Sequence, residues 1–380
     1  MKYILGFFRI VVGLLFIFSG LVKANDPLGL CYKTQEFFDV LHVSFLNPAA
    51  LTLAIILIGF EIIAGVALLL GCWMRVFGLL LLLVTLLFTF LTAFAYLTGK
   101  IKECGCFGDC LPISNTVTFW KDVILLALVI FLFVFRRQIK PVFNRVVTGI
   151  LLFLGIVVAF GFQWYTLNHL PLVDCLAYKM GSNITESMKP PPGAIPDKYE
   201  TLFIYEKDGQ QKSFTADNIP AWLDSTWQFV DRKDKLVKEG NHLEPKIVDF
   251  VVTDSSGNDV TQELLSAAGY TFLFMVRDVN EAGTGWDQKM SALQRACAQS
   301  GIRIYGITAS SHAAVARFTD THRLGFPFFQ MDATVIKTAA RSNPCLILLR
   351  EGTVLGKWAY RDMPERVSQI PGSDALDLRK

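Results

Sequence analysis

Five long apolar segments, all before residue 167, constrain this chain more than any other feature of its sequence. Each approaches or exceeds the ~18 apolar residues that indicate a membrane-spanning helix. We place the spans near residues 3–22, 49–71, 76–97, 117–135 and 146–165. A hydrophobic content of 52% and a mean hydropathy of +0.42 are too high for an ordinary soluble protein. The sequence therefore predicts a multi-pass membrane protein whose residues after 166 are soluble.

Basic residues near the span ends predict the orientation, because positively charged flanks stay in the cytoplasm. The densest cluster is RRQIKPVFNR, residues 136–145. A cytoplasmic position for this loop places the N-terminus inside and puts the loop 25–48, the segment ECGCFGDC and the C-terminal part outside. Four lysines on the outer side oppose this bias: Lys23, Lys100, Lys102 and Lys121. We expect a bacterial inner-membrane protein with its C-terminal domain in the periplasm.

The order of patterns predicts four regions. Residues 1–140 form a four-helix membrane domain, with a short surface helix between the first two spans, and residues 141–168 add a fifth transmembrane helix. Residues 169–245 read as a connector and a small α+β segment, with a hairpin turning at Asp208 and Gly209 and an amphipathic helix in AWLDSTWQFVDRKDKLV. From residue 246, strands and helices alternate and end in a hairpin turning at Glu351 and Gly352, which predicts an α/β sandwich.

Three of the eight cysteines lie in the short stretch KECGCFGDCLP, at Cys104, Cys106 and Cys110. A disulfide needs Cα atoms about 4.4 to 6.8 Å apart, and the glycines between these cysteines permit the tight turns required. Short disulfide rings are strained and exchange readily, which favours a donor or relay of disulfide bonds. Two alternatives stay open: a structural disulfide with the third thiol bonded to Cys31 or Cys175, and a zinc site completed by Cys31 or Asp109.

The first two helices, GLLFIFSGLVKANDP and GFEIIAGVALLLGCWMRVFGLLLL, resemble the DoxX-like membrane family. The segment CGCFGDC before TFWKD is similar to the MauE branch, in which a cysteine pair stands where Cys104 and Cys106 stand here. The resemblance covers residues 1–140 and implies a four-helix bundle. It also implies an association with disulfide maturation of a periplasmic enzyme subunit and with quinone-linked redox chemistry.

Charged residues also lie inside predicted spans, among them Arg9 in the first and Glu61 in the second. The first span is long and holds Arg9, which favours a retained helix over a cleaved signal. Counting from the inner helix ends at 1.5 Å per residue, the two side chains can reach each other. We therefore expect an intramembrane ion pair between Arg9 and Glu61, with a proton path as the alternative.

The region 246–362 resembles thioredoxin-like domains of membrane-anchored oxidoreductases and peroxiredoxins. Pro344 in SNPCLILL stands at the position of the family's cis-proline, and Cys345 follows it, so both are candidate client contacts. The family's nucleophile would follow YTFLFMVRDV at the start of the next helix, but NEAGTGWDQK contains no cysteine. This departure argues against catalysis by the domain alone, and Cys297 fits a small buried residue.

Our hypothesis from the sequence is a membrane thiol-disulfide or electron relay, in which Cys104 and Cys106 exchange and Cys110 resolves or docks the pair. The expected partners are the lipid bilayer and a periplasmic client protein or oxidoreductase. No cofactor or metal is evident, although a quinone could accept the electrons, and no basic patch indicates nucleic acid. The alternative is a non-catalytic membrane scaffold whose cysteines are structural and whose outer domain binds an envelope protein.

Overall fold

In the computed structural model of this chain, the described residues are 2–101, 108–110, 113–195, 198–207, 209–215, 218, 226–238, 240–241, 243–369 and 376–379. The chain packs as two compact units. One unit comprises Met1–Gly181 together with Val251–Lys380, and the other is Ser182–Phe250. The boundaries expected at residues 140, 168 and 245 stay predictions.

Six α-helices occupy the described residues up to 168: α1 (Lys2–Asn25), α2 (Pro27–Val40), α3 (Ala50–Leu70), α4 (Met74–Thr98), α5 (Asn115–Val134) and α6 (Arg145–Asn168). All except α2 are long and apolar enough to cross a membrane. The five expected spans are therefore confirmed to within a few residues at each end. The helix expected between the first two spans is α2.

Local chemistry fixes where these helices begin and end. The Asp26 carboxylate accepts a hydrogen bond from the Gly29 amide at 3.0 Å, and Pro27 occupies the first turn of α2. Gly71, at φ +68°, adopts the left-handed conformation that ends α3, so the chain can turn at once into α4. Asn144 caps α6 by accepting from the Val147 amide at 2.9 Å. Short connections of this kind produce antiparallel neighbours.

Glycines set the register between α1 and α3. A Cβ placed on Gly65 would lie 2.7 Å from the Gly13 carbonyl oxygen, so the two backbones touch directly. Gly20 packs in the same way against Ile62, and Gly71 lies beside the Arg9 guanidinium. The two helices are antiparallel, and Glu61 is level with Gly20 rather than with Arg9.

The bundle has two chemically different ends. At the end that we call the disulfide end, the Thr166 hydroxyl of α6 donates to the Ala24 carbonyl of α1 at 2.8 Å. The Asn115 amide at the start of α5 donates to the Ile101 carbonyl beyond α4 at 2.7 Å. At the opposite, basic end, the Val142 amide donates to the Leu70 carbonyl near the cluster RRQIKPVFNR.

The unit Ser182–Phe250 contains α7 (Ile184–Ser187), β1 (Lys198–Lys207), β2 (Gln210–Thr215) and β3 (Gln228–Lys238), and its sheet order is β2-β1-β3. The predicted hairpin is confirmed in its described part, with Gly209 at φ +75° in the turn. The helix predicted in AWLDSTWQFVDRKDKLV is wrong over the residues that form β3. An isolated two-stranded hairpin is only marginally stable, and β3 satisfies the free edge of β1.

The α/β domain contains α8 (Thr261–Ser266), β4 (Tyr270–Val276), α9 (Asp287–Ser300), β5 (Arg303–Thr308), α10 (His312–His322), β6 (Phe328–Gln330), α11 (Ala333–Ala340), β7 (Cys345–Arg350), β8 (Thr353–Ala359), β9 (Arg366–Gln369) and β10 (Leu376–Arg379). Its five-stranded sheet has the order β6-β5-β4-β7-β8. Strands β4, β5 and β6 are parallel, and β7 runs antiparallel to β4.

This topology confirms the predicted α/β domain and its final hairpin. The segment FPFFQMD contributes the short edge strand β6. The Asn343–Pro344 peptide bond is cis and stands directly before β7, as the resemblance to thioredoxin-like domains implies. The fold is thus a bundle of apolar helices followed by an α/β domain of thioredoxin-like topology.

Candidate functional site

A disulfide joins two distant parts of the chain at the disulfide end of the bundle. Cys110, in the loop between α4 and α5, is bonded to Cys175, beyond α6, with Cα atoms 4.9 Å apart. The two residues are 65 positions apart in sequence. The sequence left Cys31 and Cys175 open as partners of the third thiol in the loop, and in the structure Cys175 is the partner of Cys110. Cys104 and Cys106 lie outside the described residues, so their role as an exchanging pair stays a prediction.

Polar contacts hold this disulfide between the bundle and the α/β domain. The Asn25 side chain, at the end of α1, donates to the Val173 carbonyl at 2.9 Å and accepts from the Val173 amide at 3.1 Å. The next residue, Asp174, accepts from the Lys357 ammonium of β8 at 2.9 Å. The segment that carries Cys175 is therefore fixed on both sides, and the disulfide lies at the same end of the bundle as the α/β domain.

The loop before the cis-proline is docked on the corner between α1 and α2. Arg341, at the end of α11, donates from Nε to Asp26 Oδ2 at 2.7 Å. Arg277, directly after β4, donates to the Tyr32 hydroxyl at 3.3 Å. The Lys337 ammonium lies 5.3 Å from the centre of the Tyr32 ring. Burial raises the pKa of Tyr32, and the two arginines oppose that rise.

This docking bears on the expected client contacts. Pro344 is buried in the structure, and Cys345 has no exposed surface. Burial raises the pKa of the Cys345 thiol to about 12, so very little of it is a reactive thiolate at neutral pH. Contact of Pro344 and Cys345 with a client stays a prediction, and the burial of both residues in β7 and the loop before it opposes that prediction. The segment 277–286, where the family's nucleophile would begin, contains no cysteine.

Cys297 and Cys31 are also buried and free. Cys297, on α9, packs in the core of the α/β domain, and burial raises its pKa to about 12, which confirms the interpretation of a small core residue. Cys31, on α2, packs against Ala50 and Ala54. Its pKa is raised by burial, and Arg277 and Lys337 act in the opposite direction. None of these positions exposes a nucleophile to solvent.

The ion pair inside the bundle differs from the one predicted. Glu61 accepts from the Lys23 ammonium at 2.6 Å and from the Ser19 hydroxyl at 3.1 Å. Arg9 instead donates to the Lys140 carbonyl at 3.4 Å, at the basic end. The predicted Arg9–Glu61 pair is wrong because the prediction assumed that the inner ends of α1 and α3 lie at the same level. In the structure α1 extends past the end of α3, so Arg9 is level with Gly71 and about 16 Å along the helix from Gly20.

The sequence analysis also missed Lys23 as the partner of Glu61. Its position after a long apolar run suggests a charged flank at the membrane surface, yet its side chain is only 5% exposed. Two cues in the sequence were available: Lys23 lies four residues after Ser19, on the same helical face, and that face carries Gly20. A small residue at that position lets α3, and with it Glu61, approach closely.

The described residues contain no group of three or more His, Cys, Asp or Glu side chains able to hold a metal ion. The zinc alternative needs Cys110 as a thiolate, and here Cys110 is bonded to Cys175. Two histidines make local pairs instead. His169 Nδ1 lies 2.6 Å from Asp362 Oδ2, and His322 pairs with Asp287.

Comparison with known families gives two matches. Residues 1–135 match the family described as methylamine utilisation protein MauE. Residues 199–239, which hold the three-stranded sheet, match a family described as a domain of unknown function (DUF8463). The first match agrees with the predicted MauE-like resemblance, and the DoxX part of that resemblance stays a prediction.

Among individual proteins, Protein TlpB of Flavobacterium psychrophilum is 28% identical over 129 residues. That alignment covers 33% of this chain and 35% of the relative, so the chain spans about a third of that protein.

Two solved structures are similar to parts of the chain. The thioredoxin domain of a thiol-disulfide oxidoreductase from Bacteroides vulgatus is 17% identical and has a TM-score of 0.24, over 28% of this chain and 81% of that one. A thiol:disulfide interchange protein from Bacteroides sp. is 18% identical with a TM-score of 0.24, over 28% and 74%. The part of the chain that is similar to the MauE family, residues 1–135, includes helices α1 to α5.

Proposed function

We propose that this protein is a membrane thiol-disulfide relay, in which the cysteine loop between α4 and α5 passes electrons from a periplasmic client to an acceptor in the bilayer. One observation carries the proposal: Cys110, four residues after Cys106, is disulfide-bonded to Cys175 at the end of the bundle that meets the α/β domain. Disulfides persist in oxidising compartments, which supports a periplasmic position for this end. The basic cluster at the opposite end supports the same orientation in an inner membrane.

The proposed exchange balances in two steps. A client thiolate attacks a Cys104–Cys106 disulfide, and the second client thiol resolves the mixed disulfide, which leaves an oxidised client and two thiols in the loop. The Cys106 thiolate then attacks Cys110 and releases the Cys175 thiolate. Cys104 resolves this second mixed disulfide. The Cys104–Cys106 bond is restored, and two electrons and two protons now reside on Cys110 and Cys175.

The α/β domain has a positioning part in this proposal. Its cis-proline loop is held against α2 by Arg341 and Asp26, and its β8 contacts the residue before Cys175 through Lys357. These contacts fix the Cys175 segment relative to the bundle. This positioning part does not depend on client contact by Pro344 and Cys345.

The second candidate is a non-catalytic scaffold, and the same docking favours it. A buried Cys345 and a covered loop leave the α/β domain without a reactive thiol. In that case Cys110–Cys175 is a staple that holds the loop on the bundle. The two candidates differ in whether this disulfide exchanges while the chain is folded.

A glutathione redox titration of the purified full chain separates them. Thiols would be trapped with a maleimide mass tag and assigned by peptide mapping. A relay predicts that Cys110 and Cys175 become labelled in the native chain within the range of physiological glutathione potentials, and that Cys106→Ser slows this labelling at least tenfold. Cys297→Ala is the matched control and should leave the titration unchanged. Labelling of Cys110 only after unfolding would contradict the relay and support the staple.

A further inference from the structure

Arg9 lies inside the first membrane helix, and its guanidinium is poorly satisfied by the described residues. Its Nη1 donates to the Lys140 carbonyl at 3.4 Å, which is long for a hydrogen bond, and its Nε is buried without a partner. A guanidinium has five N–H donors. Charged groups inside a membrane normally pair with one another or with backbone carbonyls, or they mark a functional site. Arg9 therefore has donors to spare.

The end of α3 does not account for these spare donors. Gly71 ends α3 beside Arg9, and a Cβ on Gly71 would lie 2.8 Å from Arg9 Nη1. Carbonyls at this helix end already accept from backbone amides. The Leu68 carbonyl accepts from Gly71 at 3.1 Å, and the Leu70 carbonyl accepts from Val142 at 3.0 Å. These carbonyls thus have partners without the Arg9 guanidinium.

The basic end of the bundle has no carboxylate to balance its charge. Residues 1–25, 62–102 and 123–168, which include the whole of α1, α4 and α6, contain no Asp or Glu. Basic residues of α1, α4, α6 and the loop between α5 and α6 gather at this end: Arg9, Arg75, Arg136, Arg137, Lys140 and Arg145. Uncompensated positive charge of this kind attracts an anion.

The surroundings of Arg9 favour an anion that carries apolar chains. Arg9 is seven residues into α1 from Lys2, or about 10 Å along the helix, so it lies within the span rather than beyond it. Apolar side chains close to it in sequence or through Lys140 are exposed: Trp73 at 71%, Val142 at 52% and Phe143 at 49%. A phospholipid places its phosphate beside such cations and its acyl chains on such a surface. A soluble phosphate leaves the apolar surface uncovered.

We propose that Arg9 and Lys140 hold the phosphodiester of an anionic phospholipid at the basic end of the bundle. The planar guanidinium of Arg9 donates two N–H groups to one phosphate, and the Lys140 ammonium adds a point charge. The Lys140 side chain is exposed, and its backbone is held next to Arg9 by the bond to its carbonyl. The lipid supplies the negative charge that this end of the chain lacks. The proposal does not depend on the relay.

The test is titration of phosphatidylglycerol into the purified full chain in detergent, with bound lipid counted by native mass spectrometry. We expect saturable binding at a single site. Phosphatidylcholine with the same acyl chains should bind at least tenfold more weakly, because its choline cancels the charge of the phosphate. Inorganic phosphate in excess should leave the bound lipid in place, since it cannot cover the apolar surface.

Three variants locate the site. Arg9→Met removes the guanidinium and keeps most of the side-chain length, and it should weaken phosphatidylglycerol binding at least tenfold. Lys140→Met, at an exposed position where folding is not at risk, should weaken binding severalfold. Arg137→Met is the matched control, because it removes an exposed charge from the same end and leaves Arg9 and Lys140 in place. It should change the affinity less than twofold.

Thermal midpoints in nanodiscs separate lipid binding from a structural role of Arg9. A ligand of the folded state raises the midpoint, so the native chain should be more stable in phosphatidylglycerol than in phosphatidylcholine. Arg9→Met should lose most of that difference, and in phosphatidylcholine it should be at least as stable as the native chain, because an uncompensated charge is gone.

Three outcomes overturn the proposal. Equal loss of binding in Arg9→Met and Arg137→Met means that the basic end attracts lipid only diffusely. Displacement of the lipid by inorganic phosphate means that the site takes a soluble anion. A midpoint of Arg9→Met that falls equally in both lipids means that Arg9 stabilises the bundle without a lipid.

Discussion

Arg341 donates to Asp26 across 315 residues of sequence, and this contact joins the loop before the cis-proline to the end of the first membrane helix. Asp26 also accepts from the Gly29 amide through its other oxygen, so one carboxylate begins α2 and anchors the α/β domain. Both side chains are largely buried, at 5% and 15% exposed. The loop before the cis-proline is thus held against the start of the chain's own helix α2.

Removal of the Arg341–Asp26 ion pair should loosen the docking of the α/β domain on the membrane helices. Arg341→Met leaves the Asp26 carboxylate without its charged partner, and loss of one member of a buried pair costs about 3–5 kcal/mol. We expect Cys31, buried on the neighbouring turn of α2, to react with maleimide at least tenfold faster in the native state. Arg232→Met, which removes an exposed pair with Asp234, is the control and should change nothing. Equal Cys31 labelling in both variants would show that the docking does not depend on Arg341.

Helix packing gives a second prediction. Gly65→Ala adds a Cβ that meets the Gly13 carbonyl oxygen at 2.7 Å, and backbone atoms cannot move aside as a side chain can. We expect a destabilisation of about 1–3 kcal/mol, seen as a lower thermal midpoint in detergent micelles. Gly149→Ala, where a Cβ meets nothing within 4 Å, should be neutral or stabilising because alanine favours the helix. A fall of the same size in both variants would argue against close contact of α1 and α3.

The buried thiol of Cys345 predicts how stability depends on alkaline pH. Its pKa is about 12 in the folded chain against an ordinary 9.0, so the folded state keeps a proton that the unfolded state loses. The contribution of this thiol to the free energy of unfolding is fully present below pH 9. It declines by about 1.4 kcal/mol per pH unit as the pH rises from 9 toward 12. Cys345→Ala should reduce that slope in urea denaturation followed by tryptophan fluorescence.

Thr338→Ala, on the surface of α11, provides the comparison and should keep the native slope between pH 9 and pH 11. The difference in the free energy of unfolding between the native chain and Cys345→Ala should then shrink as the pH rises. Parallel curves for the two proteins across this range would mean that the Cys345 thiol is not protected by burial.

The start of α11 gives a fourth prediction. Asp332 accepts from the Thr334 amide at 2.7 Å, and hydrogen bonds of this kind hold its pKa below the usual value. Asp332→Ala should cost about 1 kcal/mol at neutral pH. Because the pKa is lowered, the contribution is present above the ordinary carboxyl pKa and is lost as the pH falls through the lowered one. Ser311→Ala is a matched control, because Ser311 begins α10 without a side-chain cap bond.

Periodicity and composition were sufficient to predict the spans and the alternating α/β region, because both follow from local patterns such as apolar runs of fixed length. The cis-proline was expected only from the resemblance to thioredoxin-like domains. The partner of Glu61 could not be read in the same way. It depends on the relative offset of α1 and α3, and that offset is set by contact of Gly13 with Gly65 rather than by the helix ends.

The contact between the membrane helices and the α/β domain could not be predicted from the sequence either. Asp26 and Arg341 each have a sufficient local reason to be polar, as a helix cap and as the end of a helix, so neither signals a contact across the chain. Strand β3 was read as a helix because its apolar residues fall in adjacent pairs, Phe229 with Val230 and Leu236 with Val237. Adjacent apolar pairs fit both the helical period of about 3.6 residues and the strand period of about 2 residues. The segment is a strand because it pairs with the free edge of β1.

The proposed relay requires that Cys110 and Cys175 exchange electrons while the protein works in its membrane. Mass-shift alkylation of intact membranes, with and without a respiratory block, measures this directly when each tagged cysteine is assigned by peptide mapping. A relay predicts a mixed population of thiol and disulfide at Cys110 and Cys175 that shifts toward thiol under the block, while Cys297 stays a thiol throughout. A Cys110–Cys175 disulfide that is fully oxidised under both conditions would rule out the relay.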